Sequence, residues 1–188
     1  MKRTAIYDAN VLYPASLRSF LMWIGHHGLV HARWTDRILD ECFDNLLQSR
    51  PDLSPDRIAR TRKLMCEAIP DCLVTGFESH IESLDLPDPD DRHILAAAIK
   101  AKAQTIVTLN LKDFPEDGLA TYGVKAKHPD DFVLELLDEA PNTVLRCVED
   151  EASIRDNPPH SARDVAQILI DRGLERSGRK ILARLPSE

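Results

Sequence analysis

The passage from Ile94 to Thr108 most constrains this chain. A run of helix formers, ILAAAIKAKA (Ile94 to Ala103), gives way after one residue to a β-branched strand, TIVT (Thr105 to Thr108). A helix this apolar and a strand without polar alternation must be covered on both faces, which points to a parallel sheet sandwiched between helices. Oxygen-bearing side chains stand at both ends of the unit: Asp88, Asp90 and Asp91 before the helix, Asn110 and Asp113 after the strand. In open parallel sheets, ligands collect at the carboxyl ends of strands, and it is there that Asn110 and Asp113 fall. The N-terminus supplies a second strand end of the same kind. Ala5, Ile6 and Tyr7 make a short strand, Asp8 closes it, and Asn10 follows two residues on.

Between these strands the pattern is helical. Ser16 caps a helix from Leu17 to His27, stopped by Gly28, and Thr35 caps another from Asp36 to about Ser49. In the latter, Ile38, Leu39, Cys42, Phe43, Leu46 and Leu47 form the core-facing stripe, with Glu41 off its centre and near Asn45. A rim position suits a carboxylate leaning into a cleft and equally a solvated one. Ser54-Pro55-Asp56 starts a third helix reaching about Ile69. Its Arg57, Arg60, Arg62 and Lys63 form either a solvated face or a phosphate-contacting one. Cys72 to Thr75 reads as the second strand, His80 to Leu84 as a short helix, and Val124 to Ala126 as another short strand. His128-Pro129-Asp130 then opens a helix that buries Phe132, Val133, Leu136 and Leu137.

From Ala140 onward only helices are expected: one from Pro141 to near Arg155, a break at Asn157-Pro158-Pro159, and two short helices around Gly173. The chain therefore divides into an α/β domain over residues 1–139 and a helical extension over 140–188. So short an extension has little core of its own and should pack on the main domain or on a partner.

Composition excludes several classes. No apolar run approaches the roughly 20 residues that span a bilayer, and Met-Lys-Arg leads straight into the first strand without a signal-peptide apolar region, so a cytoplasmic location is expected. The four cysteines show no C-x-x-C spacing and the seven histidines no H-E-x-x-H motif, which argues against a zinc hydrolase. A net charge of −7 argues against a general nucleic-acid binder. A carboxylate-lined site neutralised by divalent cations would account for part of that charge.

The two motifs, DANVLY at Asp8 to Tyr13 and DPDD with VTLNLKDF from Asp88 to Phe114, together resemble the PIN-domain nucleases, in particular the VapC-type toxin branch. The resemblance covers about the first 139 residues and implies a three-layer α/β/α fold with a short parallel central sheet. It also implies Mg²⁺ or Mn²⁺ held by carboxylates, which suits phosphodiester hydrolysis because hard cations take oxygen ligands, neutralise phosphate and activate water. On that pattern Asp8, Glu41 and Asp91 are the metal ligands, with Asp88 in support. The fourth family position falls on Asn110, where an aspartate is common, and Asp113 is the candidate to supply the missing charge. Asn10 and Thr108 would orient ligands, although Asn10 also fits an ordinary turn after a strand. Arg92 would contact phosphate or form a surface ion pair, and His93 is the weaker candidate for a proton donor.

The implied function is a metal-dependent endoribonuclease, the toxin of a type II toxin–antitoxin pair, with RNA as substrate, a cognate antitoxin and a possible homodimer as partners. The competing class is a PIN-like scaffold that binds protein or RNA without cleaving, favoured by Asn110. A haloacid-dehalogenase-like phosphatase would need an aspartate where Asn10 stands.

Overall fold

The computed structural model describes residues 3–155 and 158–186. Met1 and Lys2, and Asn157 of the expected break, lie outside the described residues. Four strands, β1 (Thr4–Tyr7), β2 (His31–Arg33), β3 (Thr105–Val107) and β4 (Lys125–Lys127), form one parallel sheet in the order β2-β1-β3-β4. Ala5, Ile6 and Tyr7, whose side chains alternate between faces, are all fully buried, as are Ile106 and Val107. Both faces of the central pair are thus covered, and the α/β/α layering follows.

Residues His31 to Arg33, not Cys72 to Thr75, supply the second strand. The Cys72 segment contributes a single bridge, Trp34 to Leu73. It is bracketed by two left-handed residues, Asp71 at φ 56° and Gly76 at φ 69°, which turn the chain at both ends.

Helices α1 (Ala9–Leu12) and α2 (Ala15–His26) follow β1, and α3 (Asp36–Ser49) and α4 (Pro55–Ala68) follow β2. The Thr35 hydroxyl accepts from Ile38 N and the Ser54 hydroxyl from Arg57 N, so these two expected caps form, whereas Pro14 and not Ser16 stands at the start of α2. The short helix α5 spans Glu78–Ile81, earlier than expected, and α6 runs over Arg92–Ala101 before β3. After β3 come α7 (Glu116–Ala120) and, beyond β4, α8 (Pro129–Glu139).

The extension consists of α9 (Pro141–Ser153), α10 (Ala162–Asp171) and α11 (Glu175–Leu182). It packs on the main domain at two polar joints. On α9, Glu151 is 1% exposed, and its carboxylate accepts from the Ser19 hydroxyl, from Trp23 Nε1 at 3.1 Å and from the Arg155 guanidinium at 2.6 Å. At the start of α8, Asp130 takes the backbone N–H groups of Arg176 (3.1 Å) and Ser177 (2.7 Å) and the Ser177 hydroxyl (2.6 Å), capping α11 from a distant helix. Many of the extension's cations are also engaged: Arg176 with Asp131, Lys180 with Asp138, Arg179 with Glu175.

Asp130→Ala leaves those donors buried without an acceptor. It is expected to lower the unfolding free energy by about 2 kcal/mol, read as a lower urea midpoint at unchanged slope. An unchanged midpoint would show that the joint adds nothing.

Candidate active site

The carboxyl ends of β1 and β3 are stitched together by side chains. Asp8, 5% exposed, stands where β1 ends, and its backbone N–H donates to Val107 O of β3 at 3.1 Å. Its Oδ2 accepts from Asn10 Nδ2 at 2.5 Å and from the Thr108 hydroxyl at 2.6 Å. Asn10 Nδ2 also donates to Thr108 Oγ1 at 2.9 Å, while Asn10 Oδ1 accepts from Leu109 N at 2.9 Å. Asn10 therefore bridges two strand ends, which is more than a local turn requires.

A second group of acids faces this one. Asp88 accepts from Asp90 N at 2.9 Å and so shapes the turn Pro89–Asp91 that leads into α6. Asp88, Asp91 and Asp113 each present a carboxylate oxygen, and the three lie within 4.8 Å of one another. Asn110, the residue at the position where an aspartate is common, donates its amide to Asp113, and its own N–H donates to Thr108 Oγ1 at 3.0 Å.

Glu41 comes from α3. Its Oε1 is 3.0 Å from His93 Nε2 and accepts from Arg37 Nε at 3.2 Å. Asp8, Asn10, Arg37, Glu41, Asp90 and Asp91 line one open cleft of about 700 Å³.

The electrostatics are those of acids held together without enough positive charge. Burial raises the Asp91 carboxyl, and Asp8, Asp88 and Asp113 add to it, bringing it to about 6. Burial likewise raises Asp8 against the opposing hydrogen bonds from Thr108 and Ala9, with Glu41 adding repulsion. Burial also acts to raise Glu41, but His93 and Arg37 outweigh it and the net shift is downward. An all-oxygen donor set with unneutralised negative charge fits a hard divalent cation.

The basic candidates lie elsewhere. Arg62 pairs with Asp36 at 3.4 Å and with Asp40, Lys63 with Glu67 at 3.7 Å, and Arg92 with Asp85 at 3.6 Å. Arg57 and Arg60 form no salt bridge among the described residues. His93 is 1% exposed and so cannot meet a substrate directly. Sequence reasoning passed over Arg37 in the cleft wall, although its four-residue spacing to Glu41 on one helix was the available signal.

A larger cavity, about 910 Å³, runs between α2, α4, α9 and α10 and is lined by Met22, Trp23, Leu64, Met65, Ile154 and Ile168. Its apolar walls hold no acid cluster, so it is not where phosphodiester chemistry would occur. No helix among the described residues is long and apolar enough to cross a membrane.

Comparison with known proteins accords with this geometry. A family model described as PIN domain matches residues 4–112, and one described as VapC50 C-terminal domain matches residues 129–182. Over 77 residues the chain is 48% identical to a Mycobacterium tuberculosis protein named "Putative ribonuclease VapC50". That stretch covers 39% of this chain and 46% of the relative, so the match spans about half of the relative's length. No solved structure matches.

Proposed function

The chain belongs to the PIN-domain family, and on that premise we propose that it is a metal-dependent endoribonuclease, the toxin of a type II toxin–antitoxin pair. The observation that carries the proposal is that Asp8, Glu41 and Asp91 line one cleft, with Asp88 and Asp113 presenting carboxylate oxygens within 4.8 Å of that of Asp91, whose carboxyl burial and the neighbouring acids raise to about 6. The partial match to a relative bearing a ribonuclease name supports the substrate class. Asp8, Glu41 and Asp91 would hold Mg²⁺ or Mn²⁺, with Asp88 and Asp113 on the α6 side of the cleft. When bound, the cation supplies Lewis acidity toward phosphate and water.

The chain's own residues supply position. Thr108 and Asn10 fix the Asp8 carboxylate, because each donates to Oδ2 and a third hydrogen bond ties Asn10 to Thr108. Asn110 aims Asp113 in the same way. The cleft is open, as a single-stranded RNA segment requires, and among the described residues the one cation in its lining is Arg37; Arg57 and Arg60, the proposed RNA contacts, stand on α4 outside that lining. We place the nuclease domain at 1–139 and the helical extension at 140–188. A cytoplasmic location, a cognate antitoxin and a homodimer are part of the same proposal, and the apolar cavity beside α2 is a surface suited to a partner.

The test is cleavage of a mixed RNA pool by purified protein with Mn²⁺ or Mg²⁺, beside EDTA and Asp8→Asn. Discrete products that need both metal and Asp8 support the nuclease. Absence of cleavage together with absence of metal binding by calorimetry would overturn it in favour of a binding scaffold, the reading that Asn110 keeps open.

Proton and cation compete for Asp91. Because its carboxyl is raised to about 6, its protonation stabilises the metal-free fold, and that contribution is lost as pH rises through about 6. Mn²⁺ affinity should therefore increase from pH 5 to pH 7, by up to about tenfold. Equal affinity at the two pH values, measured by calorimetry, would remove Asp91 from the ligand set.

A further inference from the structure

We propose that His93 is a positioning residue for the cleft: it fixes Glu41 on α3 at a set distance from the acidic start of α6. The inference rests on the reading of Glu41 as a metal-side carboxylate.

His93 lies near the start of a helix that is buried on all sides just beyond it. Ile94, Leu95, Ala96, Ala97 and Ala98 are all buried beside it. A ring with two polar nitrogens is costly there unless it serves something. Among the described residues its Nδ1 has no hydrogen-bond partner, and its Nε2 stands 3.0 Å from Glu41 Oε1. The ring is thus committed to one contact, and that contact is with the only cleft carboxylate supplied by α3.

Glu41 needs such a holder. It sits at a helix rim, about a third exposed, with a flexible side chain that would otherwise sample several rotamers. Its other partner, Arg37, is itself 47% exposed and therefore a weak constraint. His93, packed in the core, is the rigid one. It also lies two residues beyond Asp91, at the start of the same helix. A single side chain thus ties the carboxylate of one wall to the backbone that carries the carboxylate of the other.

Calorimetric titration of Mn²⁺ into the full-length protein tests this. His93→Leu should weaken Mn²⁺ binding by roughly tenfold or more, the size expected when a group supporting a ligand is lost. His93→Gln keeps an N–H at similar reach and should recover most of that loss. Adding His93→Leu to Glu41→Gln should weaken binding no further than Glu41→Gln alone, since the two act through one carboxylate.

A purely packing role for His93 predicts the opposite order, with His93→Gln as poor as His93→Leu, and that result would overturn the inference. So would wild-type affinity in His93→Leu. If His93→Leu does not fold, as judged by its metal-free melting curve, His93→Asn takes its place, because the shorter amide cannot reach Glu41. Wild-type affinity in Glu41→Gln would instead overturn the underlying assignment of Glu41.

Discussion

Replacing Asp8 by asparagine is expected to abolish metal-dependent RNA cleavage and, in the same molecule, to make the metal-free protein harder to unfold. The two effects have one origin. A buried carboxylate raised above its ordinary range is a liability to the fold at neutral pH, because its charge is desolvated and meets Glu41. The amide removes that charge while its oxygen can still accept from Thr108 and Asn10, so the hydrogen-bonded stitch survives. It also removes the charge that a divalent cation would bind. Loss of cleavage by roughly 10³-fold or more corresponds to about 4 kcal/mol of transition-state stabilisation. Cleavage assays with Mn²⁺ and melting curves in EDTA check the two halves separately. If Asp8→Asn melted below the wild type in EDTA, the carboxylate would be a structural acceptor first, and the repulsion reading would fall.

Glu151→Ala is expected to loosen the extension from the main domain. The carboxylate gathers Ser19 and Trp23 of α2 and Arg155, just beyond α9, around one buried point. Truncation leaves an indole N–H without its acceptor and a guanidinium without its counter-ion. Breaking a buried pair on one side typically costs about 3–5 kcal/mol, and with Arg155 still 27% exposed, about 3 kcal/mol is expected. Hydrogen exchange should localise the loss, with amides of α9 to α11 exchanging faster while those of β1 and α6 stay protected. Glu151→Gln keeps an acceptor and should lose less. Uniform loss of protection across the chain would mean that extension and main domain unfold as one unit.

The acidic residues were readable in the sequence because their type and their place at strand ends carry the signal. Asp8 and Asn10 follow a short apolar strand, Asp88 and Asp91 precede a buried helix, and Asp113 follows the next strand. What escaped lies in contacts between distant residues. Nothing in the local pattern of His31-Ala32-Arg33 marks a strand, since two of its three residues are polar or charged and the run is too short for periodicity. It pairs because β1 offers an edge beside it. Cys72 to Thr75 carries β-branched residues but pairs only through the bridge of Leu73 to Trp34. Glu151 reads as the polar side of an amphipathic helix, and only the packing of α9 on α2 turns it inward. In the same way, His93 beside a buried apolar run looks like a core residue until α3 brings Glu41 to it.

The bond between Thr108 and Asp8 joins residues 100 positions apart in the chain. During synthesis the amino-terminal strand emerges long before the segment that completes its neighbourhood, at about 5–20 residues per second. A nascent chain that has not yet released Thr108 and Asp113 from the ribosome has the first acid but no cleft. Made in the midst of ribosomal, transfer and messenger RNA, the proposed nuclease would be harmless to its own template until more than three-fifths of the chain had been translated, a delay set by topology.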